Sequence, residues 1–214
     1  MTGRTLRLDI VSNIVCPWCL IGLANLETAL ESLGEEVQTE LVFHPFQLNP
    51  GLPSEGELSA DNLARKYGIT PQQARERGGG VRAAAAEAGV SLAGKPDRIY
   101  DTFDAHRLLY WARLQGRQLA LKHALFDAYF GQGRAISARD VLIDACEAAD
   151  LARNAAFDTL NRGDFATQVH DDEIDWRSEG ITSVPTVVID GEFTISGAQD
   201  PARWERALRK LAAR

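Results

Sequence analysis

Within its first twenty residues this chain switches from a strand period to a helix period, and two cysteines stand at the switch. Leu6, Leu8 and Ile10 alternate with polar residues before Val11, and "SN" at 12 and 13 breaks the run. From Pro17 onward Leu20, Leu23, Leu26, Leu30 and Leu33 recur every three or four residues, with Gly34 where a helix C-cap belongs. Proline suits a first helical turn because the missing N–H has no partner there in any case. "CPWC", Cys16 to Cys19, therefore straddles a strand-to-helix turn.

That placement governs what the thiols can do. A thiolate is the attacking form, and a free cysteine with a pKa near ~8.5 is mostly protonated at neutral pH. Helix N-terminal N–H groups and the dipole lower it, into a range of roughly 3.5 to 7.5 for C-x-x-C sites. Cys16 is then the expected attacking sulfur, and Cys19, one turn later, the thiol that resolves a mixed disulfide. Pro17 removes one donor, and Trp18 sets an apolar face beside the sulfur where a bound chain can pack. Half of a metal site is the weaker alternative: no second C-x-x-C and no H-x3-5-H exists, and His44, His106, His123 and His170 are scattered, so no metal is expected. Cys146 lies in "DVLIDACEAADL", a helical pattern with a buried side, and reads as an inert core thiol.

"VQTELVFHPF" gives a second strand ended by Pro45. Strand signals then stop for more than a hundred residues. A helix is predicted over Leu58 to Tyr67, and another starts at Thr70-Pro71, is interrupted by "GGG" at 78 to 80 and resumes in "VRAAAAEAGV". Further helices are expected in "DTFDAHRLLYWARL", "QLALKHALFDAYF", "ARDVLIDACEAADL", "RNAAFDTLNR" and near "FATQVHDDEIDWRSEG". "VPTVVIDGEFTISG" reads as two strands joined by a two-residue turn at Asp190-Gly191, and Asp200-Pro201 opens a last helix with Trp204, Leu208 and Leu211 on one face. The order predicts an α/β chain: a thioredoxin-like domain from residues 1–50 and 165–214, and an inserted all-helical domain, 51–164, packed near the active end.

The 214 residues fit one domain with an insertion. Twenty-three Lys and Arg against thirty Asp and Glu, net -7, disfavour a nucleic-acid partner. No apolar run approaches the roughly 18 residues of a spanning helix, and "MTGRTLRLDIVS" lacks the apolar core of a secretory signal, so a cytoplasmic protein is expected. In a reducing cytosol a close cysteine pair points to catalysis or metal rather than a staple.

Four separated segments, "CPWCLIG", "HPFQLNP", "YDTFDAHRLLYWA" and "GITSVPTVVIDGEFTISGAQDP", resemble the FrnE-like branch of the DsbA family of thiol-disulfide oxidoreductases, over essentially the whole chain. The resemblance implies a thioredoxin fold with a helical insertion, Cys16 as nucleophile, Cys19 as resolving thiol and a cis-proline at Pro185, with the Val184 backbone open to an extended substrate and His106 facing the groove. It implies no cofactor beyond a redox partner such as glutathione, and partners that are protein or small-molecule disulfides. Periplasmic members carry a signal sequence, so reduction or isomerisation of disulfides is the expected direction here. A related group, the glutathione-dependent chromene-carboxylate isomerases and kappa-type transferases, typically has serine where Cys16 stands and supplies the alternative function; a redox-sensing binding module is a third. Asp9, in mid-strand, is a candidate acceptor for the Cys19 proton or an ordinary hydrogen-bonded strand residue. His44 is a candidate for the active face or for packing, and "HDDEID" reads as a solvated helix face.

Overall fold

The alternation at the start of the chain becomes β1, Leu6–Ser12, the strand on which the rest is hung. The computed structural model describes residues 4–214, so residues 1–3 of "MTGRTLRLDIVS" lie outside it. β2, Thr39–Pro45, runs parallel to β1 with Leu6 beside Thr39 and Ser12 beside Pro45. Two later strands are defined here as β5, Thr186–Ile189, and β6, Phe193–Ser196, after the short pair β3, Glu57–Leu58, and β4, Arg98–Ile99. β5 lies antiparallel to β1, with Val11 opposite Thr186, and β6 antiparallel to β5, giving the order β2-β1-β5-β6. That register carries residue 185 to the end of β1 where the cysteines follow.

The two faces of β1 divide the core. Leu6, Leu8 and Ile10 join Leu23 and Leu26 of α1, Pro17–Leu33, and Trp204 and Leu208 of α9, Pro201–Ala212. On the opposite face Val11, Phe46, Ile181 and Val188 pack with Trp176 of α8, Ala166–Ser178. Helices therefore cover both faces of a mixed sheet, the α/β thioredoxin-like arrangement expected from the element order.

Between β2 and α8 lie α2, Ser59–Tyr67, α3, Pro71–Glu87, α4, Phe103–Leu114, α5, Gln118–Phe126, α6, Arg139–Ala148, and α7, Arg153–Arg162. Buried residues of α4 to α7 and of the turn after α5, including Leu108, Leu121 and Tyr129, are continuous with the core under the sheet. Gln118 fixes this block to the β2 edge: the Phe43 N–H donates to its Oε1 at 2.9 Å and its Nε2 donates to the Phe43 carbonyl at 2.8 Å. One amide thus pairs an edge strand that would otherwise leave both groups buried and unbonded. Arg107 ties α4 to α7 by donating from Nη2 to the Thr159 carbonyl at 2.7 Å and from Nε to the Asp164 carbonyl at 2.8 Å, which satisfies carbonyls at a helix C-terminus.

Several local expectations need correcting. α3 is continuous from Pro71 to Glu87, so "GGG" does not interrupt it: each glycine costs roughly 1 kcal/mol but keeps its backbone N–H for the helix, and a Thr70 capping box with Gln73 fixes the N-terminus. β3 and β4 form a small antiparallel ladder inside the stretch expected to be wholly helical, and two-residue strands leave no period to detect. α5 ends in a wider turn, Asp127–Gly131. At the hairpin, Asp190 and Gly191 take positive φ, 51° and 71°, as expected, but Glu192 adds a third residue before β6. The acidic run is not merely solvated: Glu173 is buried and accepts from the Gln47 N–H at 2.7 Å and Gln47 Nε2 at 3.0 Å.

Candidate functional site

Asn13 shapes the turn that delivers the cysteines. Buried beyond β1, it donates from Nδ2 to the Phe46 carbonyl at 2.6 Å and to Thr102 Oγ1 at 2.9 Å, while its Oδ1 accepts from the Val15 N–H at 2.8 Å. Three segments are locked by one amide, and Cys16 follows as the N-cap of α1 with extended φ and ψ of -87° and 113°. Pro17 occupies the first helical turn, and no side chain caps it. The Cys16 sulfur stands instead at the helix N-terminus, where the Trp18 and Cys19 N–H groups favour its thiolate.

The two thiols are free, and their surroundings separate them. Cys16 lies below an ordinary thiol: the Cys19 S–H donates to it, which outweighs the opposing cost of burial, and the Cys19 and Trp18 N–H groups and the Lys122 charge act in the same direction. Cys19 lies well above one, because burial penalises its thiolate and the hydrogen bond and charge of Cys16 add to that, against the Lys122 charge and an Asn13 N–H at 3.5 Å. One sulfur is prepared as thiolate and its neighbour as its proton donor. Cys146 is fully buried, and burial pushes its thiol up to about 12, the inert behaviour expected of it.

Trp18 is 41% exposed beside the pair. Across from it the Val184-Pro185 peptide is cis, as the resemblance implies, and the Cys16 Sγ lies 3.9 Å from the Val184 carbonyl. Thr186 holds this bend, donating to the Ser183 carbonyl at 2.8 Å. A Cβ on Gly22, one turn beyond Cys19, would stand 3.1 Å from Pro185 Cγ, so the absence of a side chain lets the helix and the proline bend approach. Cys16, Cys19, Pro17, Trp18, Val184 and Pro185 are thus brought to one end of the sheet.

Three other candidates are placed elsewhere. Asp9 is on the far face of β1 from Cys19, bonded to His44 Nε2 at 2.9 Å and to the Arg7 guanidinium at 2.7 Å, so it cannot take the Cys19 proton. Burial pushes its carboxyl up, but the His44 and Arg7 hydrogen bonds win and hold it at about 2. His44 shares that face, its Nδ1 2.9 Å from Asp172 Oδ1 and its ring 4.8 Å from that of Trp176; burial opposes its charge, yet the two carboxylates raise its pKa. His106 is only 3% exposed, behind Phe43 rather than on the groove surface, and burial drives its pKa well down. Among the described residues no cluster of three or more His, Cys, Asp or Glu could hold a metal.

Sequence reasoning missed Lys122. It sits one turn after Gln118 on α5, is 1% exposed, and lines a cavity with Cys19, Ser12, Phe43, Pro185 and Trp204. Burial pulls its ammonium down to about 8 against the opposing influence of the two sulfurs. The available signal was a lysine at the i+4 position from Gln118 in the apolar run "QLALKHALF", where a solvated residue fits poorly.

Solved structures of other proteins share this fold, and the sequence has a relative along nearly its whole length. The probable DsbA oxidoreductase SCO1869 of Streptomyces coelicolor is 32% identical and superposes with a TM-score of 0.87, over 96% of this chain and 89% of that one. The uncharacterized protein YwbO of Bacillus subtilis (strain 168) is 25% identical over 208 residues, 95% of this chain and 96% of its own. The cytosolic disulfide reductase DsbM of Pseudomonas aeruginosa, solved with GSH, has the same fold at 15% identity, with a TM-score of 0.67 over 97% of this chain and 100% of that one. The model of the DSBA-like thioredoxin domain matches residues 7–209, and the chain belongs to that family.

Proposed function

We propose that this protein is a cytoplasmic dithiol-disulfide oxidoreductase of the FrnE-like branch, working in the direction of disulfide reduction or isomerisation. The observation that carries the reading is the asymmetry of the pair: Cys16 caps α1 with a lowered pKa, while Cys19, behind it, keeps its proton. The Cys16 thiolate attacks one sulfur of a substrate disulfide; a Cys16-substrate disulfide forms and the other substrate sulfur leaves as thiolate. Cys19 then loses its proton and attacks Cys16, so the substrate leaves with both sulfurs reduced and the pair carries the disulfide. Two glutathione thiols restore the dithiol by the same exchange, released as glutathione disulfide. Trp18 and the Val184-Pro185 bend flank the sulfur where an extended chain or a small disulfide would lie, with the Val184 backbone offering strand-like pairing that is largely blind to sequence. The cytosolic, GSH-bound DsbM supports the reductive direction and glutathione as the partner.

Cys19→Ser tests the reading. The variant should accumulate mixed disulfides on Cys16 when exposed to oxidised substrate, and the wild-type chain should reduce insulin with glutathione as electron source. A variant that stays unlinked refutes the dithiol mechanism, and activity surviving Cys19→Ser with tight glutathione binding would favour the isomerase or transferase chemistry instead.

A further inference from the structure

A cation that pairs with no carboxylate among the described residues lies beneath the redox pair. Lys122 Nζ has no hydrogen-bond partner among the described residues, and it stands 5.0 Å from the centre of the Phe126 ring and 5.5 Å from that of Phe43. Ser12 Oγ and Trp204 Nε1, on the same cavity, are also buried without a partner among the described residues. The cavity, of about 10 Å³, has room for a single water, and three polar groups around it supply the partners such a water needs. Ile10 and Ser12 are the β1 residues facing it, and among the described residues lining it Cys19 and Lys122 are the ones that ionise. Cys16 at the α1 N-terminus also acts on the Lys122 charge, and His106 of α4 is under its influence, burial with that charge driving the His106 pKa well down.

We propose that Lys122, through water in this cavity, holds and returns the proton of Cys19 during resolution. The inference rests on the dithiol reading above. While Cys16 is a thiolate, its negative charge supports the Lys122 ammonium. Once Cys16 is bound in a neutral mixed disulfide that support is gone, burial favours the free amine, and Lys122 releases its proton toward solvent. The amine then takes the proton from the Cys19 S–H. The Cys19 sulfur attacks Cys16 Sγ; the Cys19–Cys16 bond forms, the bond from Cys16 to substrate breaks, and the substrate thiolate leaves and is protonated by water. The substrate gains two electrons and the pair loses two; Lys122, left as ammonium with no thiolate beside it, then gives that proton to solvent. In the reverse direction the same group protonates Cys19 as it departs. Lys122 is a positioning and proton-holding residue, acting on substrate through Cys19.

Rapid mixing of the reduced protein with 5,5'-dithiobis(2-nitrobenzoate) separates the steps, because each releases one coloured thiolate: the first on attack by Cys16, the second on resolution by Cys19. In Lys122→Met the second phase should slow at least tenfold and lose its pH dependence around the Lys122 titration, while the first slows less. A second phase with wild-type rate and pH profile overturns the assignment and leaves the dithiol mechanism standing. No first phase at all would overturn both. Should Lys122→Met not fold, the wild-type chain, with only four lysines, carries the test by carbon NMR of labelled lysine. The Lys122 titration should move to lower pH when Cys16 is alkylated, and an unmoved titration overturns the proposal.

Discussion

Lys122→Met removes a buried charge, keeps an unbranched side chain of nearly the same length, and should stabilise the fold while it slows resolution. The ammonium titrates at about 8 in the folded chain against 10.5 for an ordinary lysine, which at 1.36 kcal/mol per pKa unit is a cost of about 3 kcal/mol at neutral pH. That value already includes the support of the two sulfurs, so the expected net gain is about 3 kcal/mol, at roughly 2–4 °C in Tm per kcal/mol for a chain of this size. The sign over pH follows from proton counts: between about 8 and 10.5 the unfolded chain binds the Lys122 proton and the folded chain does not. Wild-type stability therefore rises with pH through that window, and the advantage of methionine is complete below about 8 and gone by about 10.5. Urea denaturation of both reduced proteins at a series of pH values measures the difference, provided the slopes with urea agree. A variant less stable at neutral pH, or one whose advantage does not shrink toward pH 10.5, would refute the claim that burial of this cation is a cost.

His44→Leu should lose about 3 kcal/mol by leaving the buried Asp9 carboxylate with Arg7 alone. The wild-type cluster contributes most between about pH 4 and 6.5, because its Asp9 share is lost as pH falls through about 2 and its His44 share as pH rises through the raised His44 pKa; the variant's urea stability should be flatter across that range. Gly22→Val should cost about 1–3 kcal/mol by driving a side chain into Pro185 and Ala198, and should slow attack by Cys16; wild-type stability in urea would show that the proline bend yields freely. Brief treatment of the reduced native protein with iodoacetamide near neutral pH should label Cys16 and spare Cys19 and Cys146, whose thiols burial holds up, and peptide mapping that finds Cys146 labelled as fast as Cys16 contradicts the assignment.

The site's sulfur chemistry was legible because it is local: Cys16, Pro17 and Cys19 declare a helix start, and the strand period before them declares the turn. Pro185 was reached through resemblance, since nothing in "SVPT" fixes an isomer or says that β5 will lie beside β1. Asp9 and Lys122 show where sequence reading stops. An acid on the same strand looked nearer to Cys19 than a lysine more than a hundred residues on, yet strand alternation turns Asp9 away while the Gln118 clamp on Phe43 carries Lys122 underneath. A one-residue change of face is a local fact that can be argued beforehand from the period of two. Which face of a distant helix docks on an edge strand depends on long-range packing, and composition holds no trace of it.

The position of Lys122 also bears on how the couple responds to pH. Reduction of the disulfide to one thiolate and one thiol takes up a single proton, which for two electrons lowers the potential by about 30 mV per pH unit. If burial leaves Lys122 neutral when the cysteines are joined, and the Cys16 thiolate restores the ammonium on reduction, a second proton is taken up in the same event. The slope should then approach about 60 mV per pH unit above the Cys16 pKa and below about 8, and Lys122→Met should return it to about 30. Equilibration with glutathione buffers at several pH values measures both slopes. Equal slopes in the two proteins would mean that the lysine carries the same charge in the dithiol and in the disulfide, against the loss of its proton that neutralising Cys16 should cause.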